Sequence, residues 1–250
     1  MVNVTGIFRN LKADVTGNAT AIVSADLVVM TTSDGHSVSA SISSALNLTG
    51  TGINKLDKGS LANSAWYYLW AVSNGTTSGV VASTSSTALD SAITNNYAYC
   101  TRLPVTLRTN ESANLMATMA RGRKNQYVVG GPNVAAYPTI AAGAAGTFSS
   151  GLVAAWSAQD VSSIVPTDVA SGIKMILDQG FNLAGFVSPN DATAPNYAAS
   201  STNPAWGGSQ GGNSGDQYQH IEFLLESTDV YYAGLDAATG LYCVGWEDNI

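Results

Sequence analysis

The sequence predicts an all-β chain folded as two β-sandwich domains of jelly-roll type. Three observations predict it. Charged side chains make up 11% of the 250 residues, against roughly 25% in an ordinary soluble domain, and 28 Ser, 23 Thr and 25 Gly take their place. His36-Ser-Val38-Ser-Ala40-Ser-Ile42-Ser alternates apolar and polar residues with the period of a half-buried strand. Short apolar runs recur along the chain, each closed by Gly, Asn, Ser or Pro, as in sandwiches. A coiled coil or helical bundle would need abundant Glu, Lys, Leu and Arg, and a disordered chain would lack the 45% hydrophobic content.

In chain order, strands are expected at Ala21–Met30, at the alternating segment, at Ala65–Ser73 and at Gly79–Ser83. Asn74-Gly75-Thr76-Thr77 joins the last two, and Asn-Gly between apolar strands is a strong hairpin signal. A short helix is expected near Ala88–Thr94, then strands at Tyr97–Thr109 and Asn114–Ala120. The second half adds Gln126–Val129, Gly151–Ala158, Gly172–Leu177, Leu183–Val187, Gln219–Glu226, Val230–Ala233 and Leu241–Trp246, with Asp236 to Gly240 as the final turn. A long loop rich in Gly, Asn and Ser occupies 188–218, and such loops are usually functional or disordered.

Charge suggests where the domains divide. Residues 1–124 hold nine Lys/Arg and six Asp/Glu, whereas 125–250 hold only Lys174 against eleven acids. The expected domains are therefore 1–124 and 125–250, with one continuous sandwich as the alternative. Opposite charge on the two halves favours head-to-tail contacts between subunits; the competing reading is two solvated surfaces. The acidic total of −7 argues against general nucleic-acid binding. The basic cluster Arg121, Arg123 and Lys124, with Arg102 and Arg108 near it in sequence, reads as an interface or plain surface before a nucleic-acid site. No basic-then-apolar leader opens the chain, and the longest apolar run, Ala65 to Val72, is too short to span a bilayer. A protein made in the cytoplasm, without membrane insertion, is the expectation.

Cys100 and Cys243 sit in strand-like apolar settings, read either as buried free thiols or as a long-range disulfide. Two Cys and two His placed singly give no metal-ligand spacing, and no cofactor is expected. Glu222 and Glu226 could share a strand face as a glycosidase pair, or form the polar face of an amphipathic strand, the reading preferred here. His36 in a turn and His220 opening a strand are the only candidate bases, and both read as surface residues. Gly207 to Gly215 lacks the Lys and helix start of a phosphate loop and reads as a flexible tip. Tyr197, Trp206 and Tyr218 in the long loop could stack on sugars, anchor a partner or cover the end of a sandwich.

The run from Asn47-Leu-Thr-Gly-Thr-Gly-Ile-Asn-Lys-Leu-Asp-Lys-Gly-Ser60 through Ala65-Trp-Tyr-Tyr-Leu-Trp70 to Asn74-Gly75 resembles a segment of structural proteins of tailed bacteriophages. Gly79-Val-Val-Ala-Ser-Thr-Ser, Tyr97-Ala-Tyr-Cys-Thr-Arg102-Leu-Pro and the ending, Glu222-Phe-Leu-Leu-Glu-Ser through Leu241-Tyr-Cys-Val-Gly-Trp-Glu-Asp248, resemble the same pattern. Residues Thr87 to Tyr97 depart from it, standing where the pattern carries Leu-Pro-x-Gly-Tyr. The resemblance implies a virion protein of a tail fibre, baseplate or collar, working as a homotrimer or other symmetric oligomer with other virion proteins. It does not imply an enzyme. A capsid decoration protein and a receptor-binding protein that binds or depolymerises host glycans are the alternatives. A weakly charged Ser/Thr/Gly surface fits assembly, because short side chains lose little entropy at an interface and Lys and Glu are depleted there.

Overall fold

A computed structural model describes residues 7–149, 152–179, 184–190, 207–210 and 217–250. The described residues form nineteen strands and one helix of four residues, so the chain is all-β. It divides into two compact units, Met1–Ala136 with Asp248–Ile250, and Tyr137–Glu247. The change in charge at Arg121–Asn125 falls within a hairpin of the first unit, while the division between units comes after Ala136.

The strands of the first unit are β1 (Phe8–Arg9), β2 (Lys12–Gly17), β3 (Thr20–Thr31), β4 (Ser37–Asn47), β5 (Trp66–Ser73), β6 (Ser78–Ser83), β7 (Tyr99–Arg108), β8 (Thr118–Arg121) and β9 (Lys124–Tyr127). Helix α1 (Ser91–Thr94) lies between β6 and β7. The strand order is β9-β8-β2-β3-β7-β5-β6, with β1 and β4 also on β3 and all pairs antiparallel. The alternation read in the sequence sets the face of β4: Ile42, Ser44 and Leu46 are buried, while Ser37, Ser39, Ser41 and Ser43 are exposed. β5, β6 and β7 are instead buried along nearly their whole length, consistent with their continuous apolar runs. Val23, Val28, Met30, Leu69, Val80 and Leu103 belong to one core cluster.

The Asn74-Gly75 hairpin forms as expected. Asn74 Oδ1 accepts from the Thr76 and Thr77 amides at 3.0 and 2.8 Å, and Gly75 takes φ +90°, which a residue without Cβ adopts freely. β2 was not expected from sequence; Ala13 and Val15 are its only buried side chains, a weak apolar signal.

The free edge of β6 is covered by residues 54–57. The amides of Asn54 and Asp57 donate to the Val80 and Ala82 carbonyls at 2.7 and 2.9 Å. The Val80 amide donates to Asn54 Oδ1 at 3.1 Å, and the Ala82 amide to the Lys55 carbonyl at 2.9 Å. Leu56 is fully buried beneath this strap. The Asp57 carboxylate, 5% exposed, accepts from the Ser83 hydroxyl at 2.7 Å and the Asp90 amide at 3.3 Å. Residues 54–57 are thus occupied in finishing a sheet edge.

The last three residues also belong to this unit. Arg102 donates both terminal nitrogens to the Asp248 carboxylate at 2.8 and 2.7 Å, with the side chains 7% and 0% exposed. Arg123 Nε donates to the Asp248 carbonyl at 3.0 Å. Removing one partner of such a buried pair leaves an uncompensated charge.

The second unit comprises β10 (Thr139–Ala142), β11 (Thr147–Ser149), β12 (Leu152–Ala155), β13 (Ser157–Asp160), β14 (Ala170–Gln179), β15 (Ala184–Ser188), β16 (Gly207–Gln210), β17 (Tyr218–Leu224), β18 (Asp229–Gly234) and β19 (Thr239–Asp248). β17, β14 and β19 lie side by side with β10 on β19; β13-β18-β15-β16 form a four-stranded sheet; β11 and β12 pair alone. The inner face of β14 carries Ile173, Met175 and Leu177, all buried. Gln179 Nε2 donates to the Gly185 carbonyl of β15 at 3.1 Å, and a Cβ at Gly185 would come within 3.3 Å of Leu177. The turn at Asp236–Gly240 exists, but it leads from one sheet to the other rather than closing a hairpin. β16 corrects the expectation of a flexible tip for Gly207–Gln210, which pairs with β15 from Val187 to Ala184, while residues 211–215 lie outside the described residues.

Candidate functional site

The strongest candidate lies on the outer face of β14 and β17. Their antiparallel register sets Lys174 beside Glu222, Ile176 beside His220 and Asp178 beside Tyr218. Because side chains alternate along a strand, Ile221 and Phe223 turn inward and are buried, leaving Tyr218, His220, Glu222 and Leu224 exposed. Tyr218 is 65% and Leu224 73% exposed. Lys174 Nζ stands 3.5 Å from Glu222 Oε2, with side chains 27% and 53% exposed. An open cleft of about 300 Å³ runs beside this pair, lined by Lys174, Met175, His220, Ile221, Glu222 and Val244.

Three residues singled out in the sequence for separate reasons, Tyr218, His220 and Glu222, therefore share one strand face. Lys174 was noted only as the lone cation of its half. Tyr197 and Trp206 lie outside the described residues. Glu226 leaves the face: β17 ends at Leu224, and Glu226 Oε2 accepts from Asn190 Nδ2 at 2.7 Å. His36 sits in the β3–β4 turn, its Nε2 3.6 Å from the Asp34 carboxylate, with both side chains largely exposed. The Thr32 hydroxyl donates to Asp34 and is the main cause that holds its carboxyl below the usual range.

The basic cluster does not form one positive patch. Arg102 is buried against Asp248, Arg121 pairs with Asp14 at 2.8 Å, and Arg108 stacks 5.2 Å from the Trp66 ring centroid. Both cysteines are free thiols. Burial pushes Cys243 up to about 12 and raises Cys100, so each stays protonated at neutral pH and is a poor nucleophile.

The face presents one carboxylate held by an ammonium, an imidazole and an exposed phenol ring. Asp178 is the other acid on it, four residues along the strand from the Lys174–Glu222 pair. That spacing separates the backbones by about 13 Å, beyond the roughly 5–9.5 Å between the carboxyls of glycosidases. Gly207-Gly-Ser-Gln-Gly211 has the Gly-x-Ser-x-Gly spacing of a nucleophile elbow. Residues 207–210 form a strand, however, not the strand-to-helix turn that exposes such a serine. Among the described residues no three His, Cys, Asp or Glu gather as a metal site. The geometry suits recognition of a polar surface through a ring, an ion pair and an imidazole. Compared with protein-family models, curated proteins and solved structures, the chain matches none.

Proposed function

We propose that the chain is a non-catalytic structural protein of a tailed-phage particle, a fibre, baseplate or collar part that binds copies of itself and neighbouring virion proteins. The observation that carries the assembly reading is where the charges go. Arg102, Arg121, Arg9, Lys58 and Lys174 each face a carboxylate, those of Asp248, Asp14, Asp26, Asp90 and Glu222. The chain is otherwise rich in Ser, Thr, Asn and Gly, whose short side chains lose little conformational entropy when a contact orders them. The phage context rests on the likeness of residues 47–75 and the other segments quoted above. Mass spectrometry of gradient-purified particles from producing cells tests it. Peptides of this chain at structural stoichiometry are expected; their absence from particles, with the chain present in the cell lysate, overturns the reading.

A second reading, glycan recognition at the β14–β17 face, is favoured by Tyr218 standing 65% exposed beside the cleft. Its ring offers an apolar face and its hydroxyl a polar handle to a sugar. Titration with host surface polysaccharide should then show binding that Tyr218→Ala abolishes; equal binding by the variant removes this reading.

A further inference from the structure

We infer that the outer edge of β4 pairs with the same edge of a second copy of this chain, in antiparallel register about a two-fold axis at Ala40. This deepens the assembly reading by naming the partner and the contact. Among the described residues β4 pairs with β3 alone, and only Asn47 at its end finds another backbone partner, the Asn54 carbonyl at 2.9 Å. A strand edge presents a row of unpaired amides and carbonyls, and proteins that stay monomeric blunt it with charge, proline, a bulge or a covering segment. The β6 edge has such a cover. Along residues 37–43 β4 has no hydrogen-bonded cover among the described residues: the stretch contains no charged residue and no proline, and the bulge near Asp26 and Leu27 lies on β3.

The sequence of the edge names its occupant. Ser37-Val38-Ser39-Ala40-Ser41-Ile42-Ser43 reads almost the same in both directions. Two copies paired about Ala40 place Ser37 opposite Ser43, Val38 opposite Ile42 and Ser39 opposite Ser41. The β-branched pairs fall on the inward face and the serines on the exposed face, as the burial of the single chain requires. A charge near a two-fold axis would meet its own mate at close range, and here there is none. Both copies use the same edge, so the contact is isologous and closes as a dimer rather than growing into a fibre.

Light scattering on the full chain tests this. The wild type should approach twice its 25.7 kDa mass as concentration rises. Ser39→Lys/Ser41→Lys and Ser39→Glu/Ser41→Glu each set like charges opposite one another, and each should run as a monomer. An equimolar mixture of the two should restore the doubled mass. A wild type that stays monomeric, a trimer, or a dimer that survives the lysine pair overturns the inference, whereas the particle reading stands or falls on the mass spectrometry above. Should either variant misfold, amide exchange on the wild type decides. Protection at residues 37–43 that rises with protein concentration supports the contact, and protection independent of concentration overturns it.

Discussion

Along β6 the chain lays residues 54–57 over the sheet edge and ties them with three backbone hydrogen bonds, a fourth from the Val80 amide to the Asn54 side chain, and a buried carboxylate. Along β4 it leaves Ser37–Ser43, seven uncharged residues, without a hydrogen-bonded cover among the described ones. Both are edges of the same unit. The difference teaches that a strand edge is closed by particular side chains reaching across sequence, not by strand-forming tendency, since both strands have that tendency. Asn54 can cap Val80 because its backbone takes φ +59°, which Asn tolerates well, turning its amide oxygen toward β6.

The largest expected effect comes from removing the apolar anchor of the strap. Leu56 is fully buried in the core cluster, so Leu56→Ala should cost about 2–5 kcal/mol in denaturant unfolding. Exchange at the Ala82 amide, which donates to Lys55, should speed up with it. Unchanged exchange at Ala82 would mean that the strap does not close the edge, and the comparison with β4 would lose its basis. A smaller loss is expected from Asp57→Ala. The Ser83 hydroxyl and Asp90 amide would lose their acceptor, a cost of about 1–3 kcal/mol for buried groups. Asp57→Asn, which keeps an acceptor oxygen, should recover part of it in the same unfolding assay.

How much of this was legible follows from the range of each interaction. The faces of β4 and the Asn74-Gly75 hairpin were readable because alternation and turn chemistry act over a few residues. The segment from Asn47 to Ser60 stood out in the sequence, but its task did not, because Asp57 meets Ser83 and Asn54 meets Val80, each 26 residues away. Arg102 reads as part of a basic cluster because five of the ten basic residues fall between 102 and 124; its partner is Asp248, 146 residues on. The candidate site behaved likewise. Tyr218, His220 and Glu222 were each noted, yet the strand pairing that adds Lys174 to them is set by the β14–β17 register, which no local pattern encodes.

The smallest effect expected sharpens the comparison through pH. Asp90 caps α1, accepting from the Ala92 amide at 2.9 Å, and stands 3.5 Å from Lys58, just beyond the strap. Chiefly through the Ala92 amide, and further through Lys58, its carboxyl is held below its ordinary 3.8. A depressed folded value means that the contribution is complete above pH 3.8 and is lost as the pH falls through the lower folded value. The strap end of the unit should therefore loosen in acid by a small amount, since the carboxyl lies at the surface, where solvent screens its charge. Asp90→Asn keeps an acceptor for the cap but has no proton to gain. Acid also protonates Asp34 in the β3–β4 turn, but that occurs in both proteins and cancels between them. The difference between wild type and variant in unfolding midpoint should thus narrow as pH drops below 3.8, with amide exchange changing around Asp57 and Asp90 and not along Ser37–Ser43. A difference that stays constant with pH would show that the cap works as a neutral hydrogen bond, with no part played by its charge.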